Sequence, residues 1–202
     1  MKWIYKLFTI FLFCTSCQLS EGSAKYVIAV QCFEDFDNTL LDIIYKGIDS
    51  VYDAYIVFLK PTPLPESAYY EPRDRYRAEK ILDFLEETCP AKSSKILGLT
   101  GKDISTTKGE YYDWGIFGLG VLGGKSCVVS TYRLGKNKVS KKQFHERLVK
   151  VINHELGHTF GLSHCKNKGC LMEDAKGMIK TVDLETGRFC TECEQHLINV
   201  IK

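Results

Sequence analysis

His154-Glu155-Leu156-Gly157-His158-Thr159-Phe160-Gly161-Leu162-Ser163-His164 is the stretch around which the rest of the chain is organised. Its first two histidines stand at i and i+4. On a helix that spacing puts both on one face, with Cβ atoms about 5–6 Å apart. Two imidazoles so placed can meet one zinc ion at roughly 2.0–2.1 Å. Glu155 leaves the helix one position after His154, close enough to take a proton from a water at the metal without ligating it. A straight helix would carry residue 164 away. Gly161 can adopt positive φ, end the helix and turn the chain back, bringing His164 round as third ligand. Three histidines leave one position open, as a catalytic rather than a structural zinc requires.

Upstream, Ser140-Lys141-Lys142-Gln143 has the form of a capping box. Phe144, Leu148, Val151 or Ile152, and Leu156 then make an apolar stripe, so the spacing predicts one helix over 141–160. Earlier still, Tyr26–Val30, Ala54–Leu59 and Ile96–Leu99 read as strands. Between them lie a helix capped by Asn38, with Leu41, Ile44, Ile48 and Val51 inward, and a second over Asp74–Glu87. Ile116–Leu122 alternates apolar residues with glycines, and Ser126–Leu134 is another strand-like run. Glycines this dense fit either a bulged edge or a strand that a peptide backbone approaches closely. The alternation implies a sheet with helices packed on it.

Downstream, Cys165, Cys170, Cys190 and Cys193 fall in two clusters and read as a structural zinc site. Two disulfides are the rival reading in an oxidising compartment. Cys32, Cys89 and Cys127 remain as buried thiols, or as one bridge with a thiol left over. His164 and Cys165 are neighbours yet would bind different metals, so the structural zinc would brace the third catalytic ligand.

The stretch from His154 to His164 matches the metzincin signature HExxHxxGxxH. With Cys165, Cys170, Met172, Cys190 and Cys193 added at their spacings, it resembles the archaemetzincin pattern from His154 to Cys193. The resemblance implies an α+β fold, a mixed twisted sheet with packed helices and an active-site helix. It also implies a zinc-dependent peptidase that hydrolyses peptide bonds with Glu155 as general base, and leaves endo- and aminopeptidase action both open. It implies two zinc ions: a catalytic one on His154, His158 and His164, and one on the four cysteines that stabilises a small C-terminal subdomain. Met172 becomes a packing residue beneath the histidines, and the segment near 116–122 an edge strand that pairs with extended substrate. A zinc-stabilised binding module without catalysis is the alternative, and the carboxylate at Glu155 argues against it. Tyr132, Arg133 and His145 are nominal candidates for stabilising the oxyanion.

The N-terminus departs from the family pattern. Lys2 and Lys6 precede a short apolar run, Leu7–Phe13, and then Cys14-Thr15-Ser16-Cys17, which reads as a secretory signal over 1–16. Cys17 would be lipidated as in a bacterial lipoprotein, residues 17–25 would be a tether, and 26–202 the catalytic domain. Export with membrane attachment through Cys17 is the expectation; a soluble secreted or periplasmic protein is the alternative. In 202 residues, 45% hydrophobic and 26% charged with a net charge of +2, nothing points to nucleic acid as a partner. One domain of this size buries its own core, so a monomer acting on peptides or proteins is expected.

Overall fold

The computed structural model describes residues 26–136 and 138–201. The predicted signal and tether, with Cys17, lie outside the described residues. Among the described residues there are nine strands: β1 (Val27–Cys32), β2 (Tyr55–Phe58), β3 (Tyr69–Tyr70), β4 (Arg75–Arg77), β5 (Lys95–Thr100), β6 (Ile104–Lys108), β7 (Tyr111–Ile116), β8 (Gly118–Gly120) and β9 (Ser126–Ser130). The same residues form five α-helices: α1 (Leu41–Tyr52), α2 (Ala78–Thr88), α3 (Lys141–Thr159), α4 (Ile179–Leu184) and α5 (Thr191–Ile201).

The main sheet has the order β2-β1-β5-β9-β8. Its first four strands are parallel, and β8 closes one edge antiparallel to β9. Parallel neighbours need long crossovers, which here contain α1, α2 and the smaller sheet. Side chains alternate between the faces. Ile28, Val30, Leu97, Leu99, Cys127 and Val129 join one core with Ile44 and Ile48 of α1 and Leu148 and Ile152 of α3. Ala29, Ile96 and Val128 join a second core with Ile81 and Leu85 of α2. Burial on both faces explains why these strands read as unbroken apolar runs.

The mixed α+β architecture is the expected one, but several boundaries move. The helix predicted from Asp74 begins at Ala78 instead. Asp74 takes a left-handed conformation, φ 47°, and Arg75–Arg77 form β4, paired in parallel with β6. Charge decides this. From the strand, Arg75 reaches Asp103 at 3.3 Å and Asp113 at 3.2 Å. Arg77, 7% exposed, reaches Glu79 at 3.1 Å and Thr107 at 2.7 Å. The resulting second sheet, order β3-β4-β6-β7, was not anticipated. The N-terminal cap before α1 is Asp37, which accepts from Thr39 N–H at 2.9 Å, and not Asn38. The run from Ser126 ends as a strand at Ser130, because Leu134 N–H bonds back to Thr131 O at 3.1 Å and makes a turn.

Helix α3 runs over the residues predicted, with Ser140 Oγ accepting from Gln143 N–H at 3.2 Å. It is pinned along its length. Arg147, only 4% exposed, makes two 2.7 Å bonds to Asp183 of α4 and a 2.8 Å bond to Leu134 O. Asn153 Nδ2 donates to Gly47 O of α1 at 3.0 Å, and Tyr52 O–H to Asn153 O. At its far end Lys95 Nζ donates to Thr159 O at 2.6 Å and Gly124 O at 2.8 Å. A cation there also suits the negative end of the helix dipole.

Candidate metal centre

The last two turns of α3 carry His154, Glu155 and His158. The helix ends as the glycine predicted: Gly161 has φ +88°, with Gly161 N–H bonded to His158 O at 2.9 Å and Leu162 N–H to Gly157 O at 3.0 Å. These two bonds are a Schellman motif, and the reversal brings His164 back. Its ring centre lies 4.8 Å from that of His158 and 5.4 Å from that of His154. One nitrogen from each of the three histidines lies within 4.8 Å of the others.

Two carbonyls orient the rings. His154 Nδ1 lies 2.7 Å from Leu171 O, and His158 Nδ1 2.7 Å from Leu162 O. A carbonyl only accepts, so both Nδ1 atoms carry the proton and both Nε2 lone pairs are free. Those Nε2 atoms stand 3.1 Å apart, near the roughly 3.3 Å edge of a tetrahedron whose ligands lie about 2.0–2.1 Å from its centre. Burial, with the neighbouring His158, drives the His154 ring down to about 4, and burial lowers His158 as well, so both are neutral at pH 7. Two lone pairs facing one point, on rings that resist protonation, fit a metal cation.

Glu155 is 8% exposed. Burial pushes its carboxyl up to about 8, and the Gly120 N–H draws it back. The glycines of β8 explain this burial: a Cβ on Gly118 would lie 2.6 Å from Glu155 Cγ, and one on Gly120 2.5 Å from Glu155 O. Dense glycine therefore lets the strand lie directly on α3. Phe117 O accepts from Ser130 N–H and Val121 N–H donates to Ser126 O. By the alternation of an antiparallel ladder, Gly118 and Gly120 turn their own backbone groups to the open edge. A cleft of about 440 Å³ runs past this edge and all three histidines.

The four-cysteine cluster is equally well formed. Cys165 and Cys190 sulfurs are 3.7 Å apart and Cys170 and Cys193 sulfurs 3.8 Å apart. Those separations far exceed a disulfide bond of about 2.05 Å, and match the roughly 3.8 Å edge of a tetrahedron with Zn–S of about 2.3 Å. Backbone N–H groups point at sulfur: Cys190 N to Cys170 Sγ at 3.3 Å, Asn167 N to Cys165 Sγ at 3.4 Å. The Asn167 side chain, first among several donors, lowers the Cys190 thiol to about 6. Cys32, Cys89 and Cys127 are free thiols, and burial raises all three.

Met172 is fully buried. A Cβ on Gly157 would lie 2.6 Å from its Sδ, so the methionine packs directly against the helix between His154 and His158. None of the nominal oxyanion candidates lines the cleft. Arg133 is committed to Asp103 by bonds of 2.6 and 2.9 Å. Tyr132 is half exposed beneath the Lys136 ammonium, and His145 lines a separate groove. The cleft is furnished instead by residues not anticipated: Lys108 and Trp114 from the second sheet, and Asp174 and Lys176 after Met172. Asp174 Oδ2 lies 4.0 Å from His164 Nδ1. Burial opposes its ionisation, but the Lys176 N–H and the charges of His164, Lys108 and Lys176 hold its carboxyl below the usual range. Only the position of Asp174, two residues past Met172, was a signal.

Three imidazoles, an adjacent buried carboxylate and an open strand edge define a class, the zinc-dependent peptidases with an active-site helix. The profile of peptidase family M54 matches residues 23–199. An archaemetzincin of Haloarcula marismortui is 34% identical over 159 residues, covering 75% of this chain and 88% of that protein. The crystal structure of archaemetzincin from Methanopyrus kandleri superposes with TM-score 0.76 at 28% identity, over 90% of this chain and 98% of that one. That from Archaeoglobus fulgidus, complexed with malonate, gives TM-score 0.71 at 29% identity, over 84% and 99%. The chain belongs to peptidase family M54, the archaemetzincins, and is a zinc metallopeptidase.

The packing of Met172 against α3 has a measurable consequence. Gly157→Ala should displace the methionine, lower stability by about 1–3 kcal/mol and weaken zinc retention on the order of tenfold. Thermal melting and chelator competition read the two effects; an unchanged melting temperature and chelator midpoint would show that the contact does not matter.

Proposed function

We propose that His154, His158 and His164 hold the catalytic zinc, that Glu155 is the general base, and that Cys165, Cys170, Cys190 and Cys193 hold a second, structural zinc. The observation that carries this reading is the pair of carbonyl-fixed tautomers on His154 and His158, with Glu155 between them beneath the open edge of β8. Zinc, when bound, lowers the pKa of a water and polarises the scissile carbonyl. The charge of a bound zinc would also draw the Glu155 carboxyl back to its ionised form. As a carboxylate it would accept the proton of the attacking water and deliver it to the departing amine. Gly118, through its N–H and C=O, and Gly120, through its C=O, offer backbone groups to an extended peptide, which adds to the sheet as a further strand. Leu171 O and Leu162 O keep the imidazoles aimed, and Met172 supports the helix from below.

The proposal extends to the cell. Lys2, Lys6, the Leu7–Phe13 run and Cys17 support export from a bacterium as a lipid-anchored protein. Cys17→Ala should then move the protein from the membrane fraction to soluble protein or uncleaved precursor. An unmodified Cys17 in the mature parent chain, seen by mass spectrometry, removes the anchor.

Glu155→Ala deletes the base and no metal ligand. It should retain the parent's zinc content and lose about 10²–10⁴ in the rate of peptide hydrolysis, as general-base assistance is usually worth. Cleavage of a peptide library at the parent rate would refute the role of Glu155.

A further inference from the structure

A second cavity, of about 50 Å³, lies between α3 and the chain that follows Met172. His154 and Glu155 line both it and the main cleft, so the two adjoin at the reacting centre. Phe117, Val151 and Val182 give it apolar walls, and Glu185 lines it too. Glu185 is 8% exposed; among the described residues no protein donor bonds its carboxyl, whose oxygens keep a residual contact with solvent. The charged groups around it are already engaged. Lys150 Nζ donates to Val182 O at 2.9 Å and to Glu185's own backbone O at 2.6 Å. The Glu173 oxygens accept from Lys168 Nζ at 2.6 Å and Gly169 N–H at 2.8 Å. Burial pushes the Glu185 carboxyl up to about 8, with Lys150 opposing and Glu173 adding to the shift.

A carboxyl so far withdrawn from water and without a protein donor is poorly solvated, and a ligand group that donates to it offsets that cost. Apolar walls around a narrow space suit a methylene stem. We infer that this cavity receives the side chain of a substrate residue flanking the scissile bond, and that Glu185 selects there for an unbranched side chain ending in a hydrogen-bond donor. The inference rests on the peptidase reading of the His154–Glu155 centre. Lysine and glutamine both carry the required chemistry, lysine as a cation and glutamine as a neutral amide. An unbranched apolar side chain of the same length would fill the walls and leave Glu185 unpaired.

The test uses an alanine-based peptide in which lysine, glutamine or norleucine is walked through successive positions. Cleavage by the parent protein and binding to Glu155→Ala by calorimetry are both read. At one position next to the cut, a donor-ended side chain should bind and react about ten- to a hundredfold better than norleucine. Glu185→Met fills the same space without a carboxyl; it should keep the parent melting temperature and reverse the preference. Glu185→Gln should keep glutamine and lose lysine if the cation is the natural partner's feature, and keep both if the neutral donor suffices. A donor preference in binding that depends on Glu185 supports the pocket even if no peptide is cleaved, in which case only the catalytic reading falls. A parent protein with no donor preference in either measurement, or a folded Glu185→Met that keeps one, overturns it.

Discussion

The end of α3 is gripped from two sides by contacts that leave no room for a Cβ. On one side Gly118 and Gly120 of β8 press against Glu155; on the other, Gly157 rests on Met172. Cores are close-packed, so one added methyl at such a contact forces a shift of helix, strand or methionine. The position of the carboxylate relative to the open strand edge is therefore set by steric exclusion. Glu155 is buried, adjacent to the histidines and next to the backbone groups of Gly118 and Gly120 because these glycines permit nothing else to intervene.

The thirteen residues after α3, 160–172, serve both clusters at once. His164 adjoins Cys165, whose N–H donates to Met172 O at 2.7 Å. Leu171, whose carbonyl fixes His154, stands between Cys170 and Met172. The cysteine cluster thus holds the segment that supplies a third histidine, the orienting carbonyl of the first and the methionine beneath the helix. An outer support that aims metal ligands commonly affects affinity by about 10–100-fold. Here that support is part of the chain itself, closed by α5 through Cys193.

Helix α3 with its cap, its glycine stop and the two clusters of histidines and cysteines were legible in the sequence, because each depends on short spacings and on local conformational preference. The central strands were legible because burial on both faces makes apolar runs. What escaped depended on distant partners. Arg75–Arg77 have no strand signal of their own; Asp103, Asp113 and Thr107 make them one. Arg133 looked free to serve the oxyanion until Asp103, thirty residues upstream, claimed it. Polar β6 and β7 showed no period, so Lys108 and Trp114 could not be placed in the cleft. On sequence alone the glycines of β8 fit a loose edge or a close approach; in the fold they lie directly against the protein's own helix α3.

The central claim is that one chain holds two zinc ions in different donor sets, three imidazoles in one and four thiolates in the other. Zinc K-edge X-ray absorption on protein purified without chelators, with metal content measured on the same sample, tests it most directly. The account predicts two zinc ions per chain and an average shell split equally between sulfur near 2.3 Å and nitrogen or oxygen near 2.0–2.1 Å, distances usual for such sites. One zinc per chain, with a shell of sulfur alone or with no sulfur at all, would contradict it.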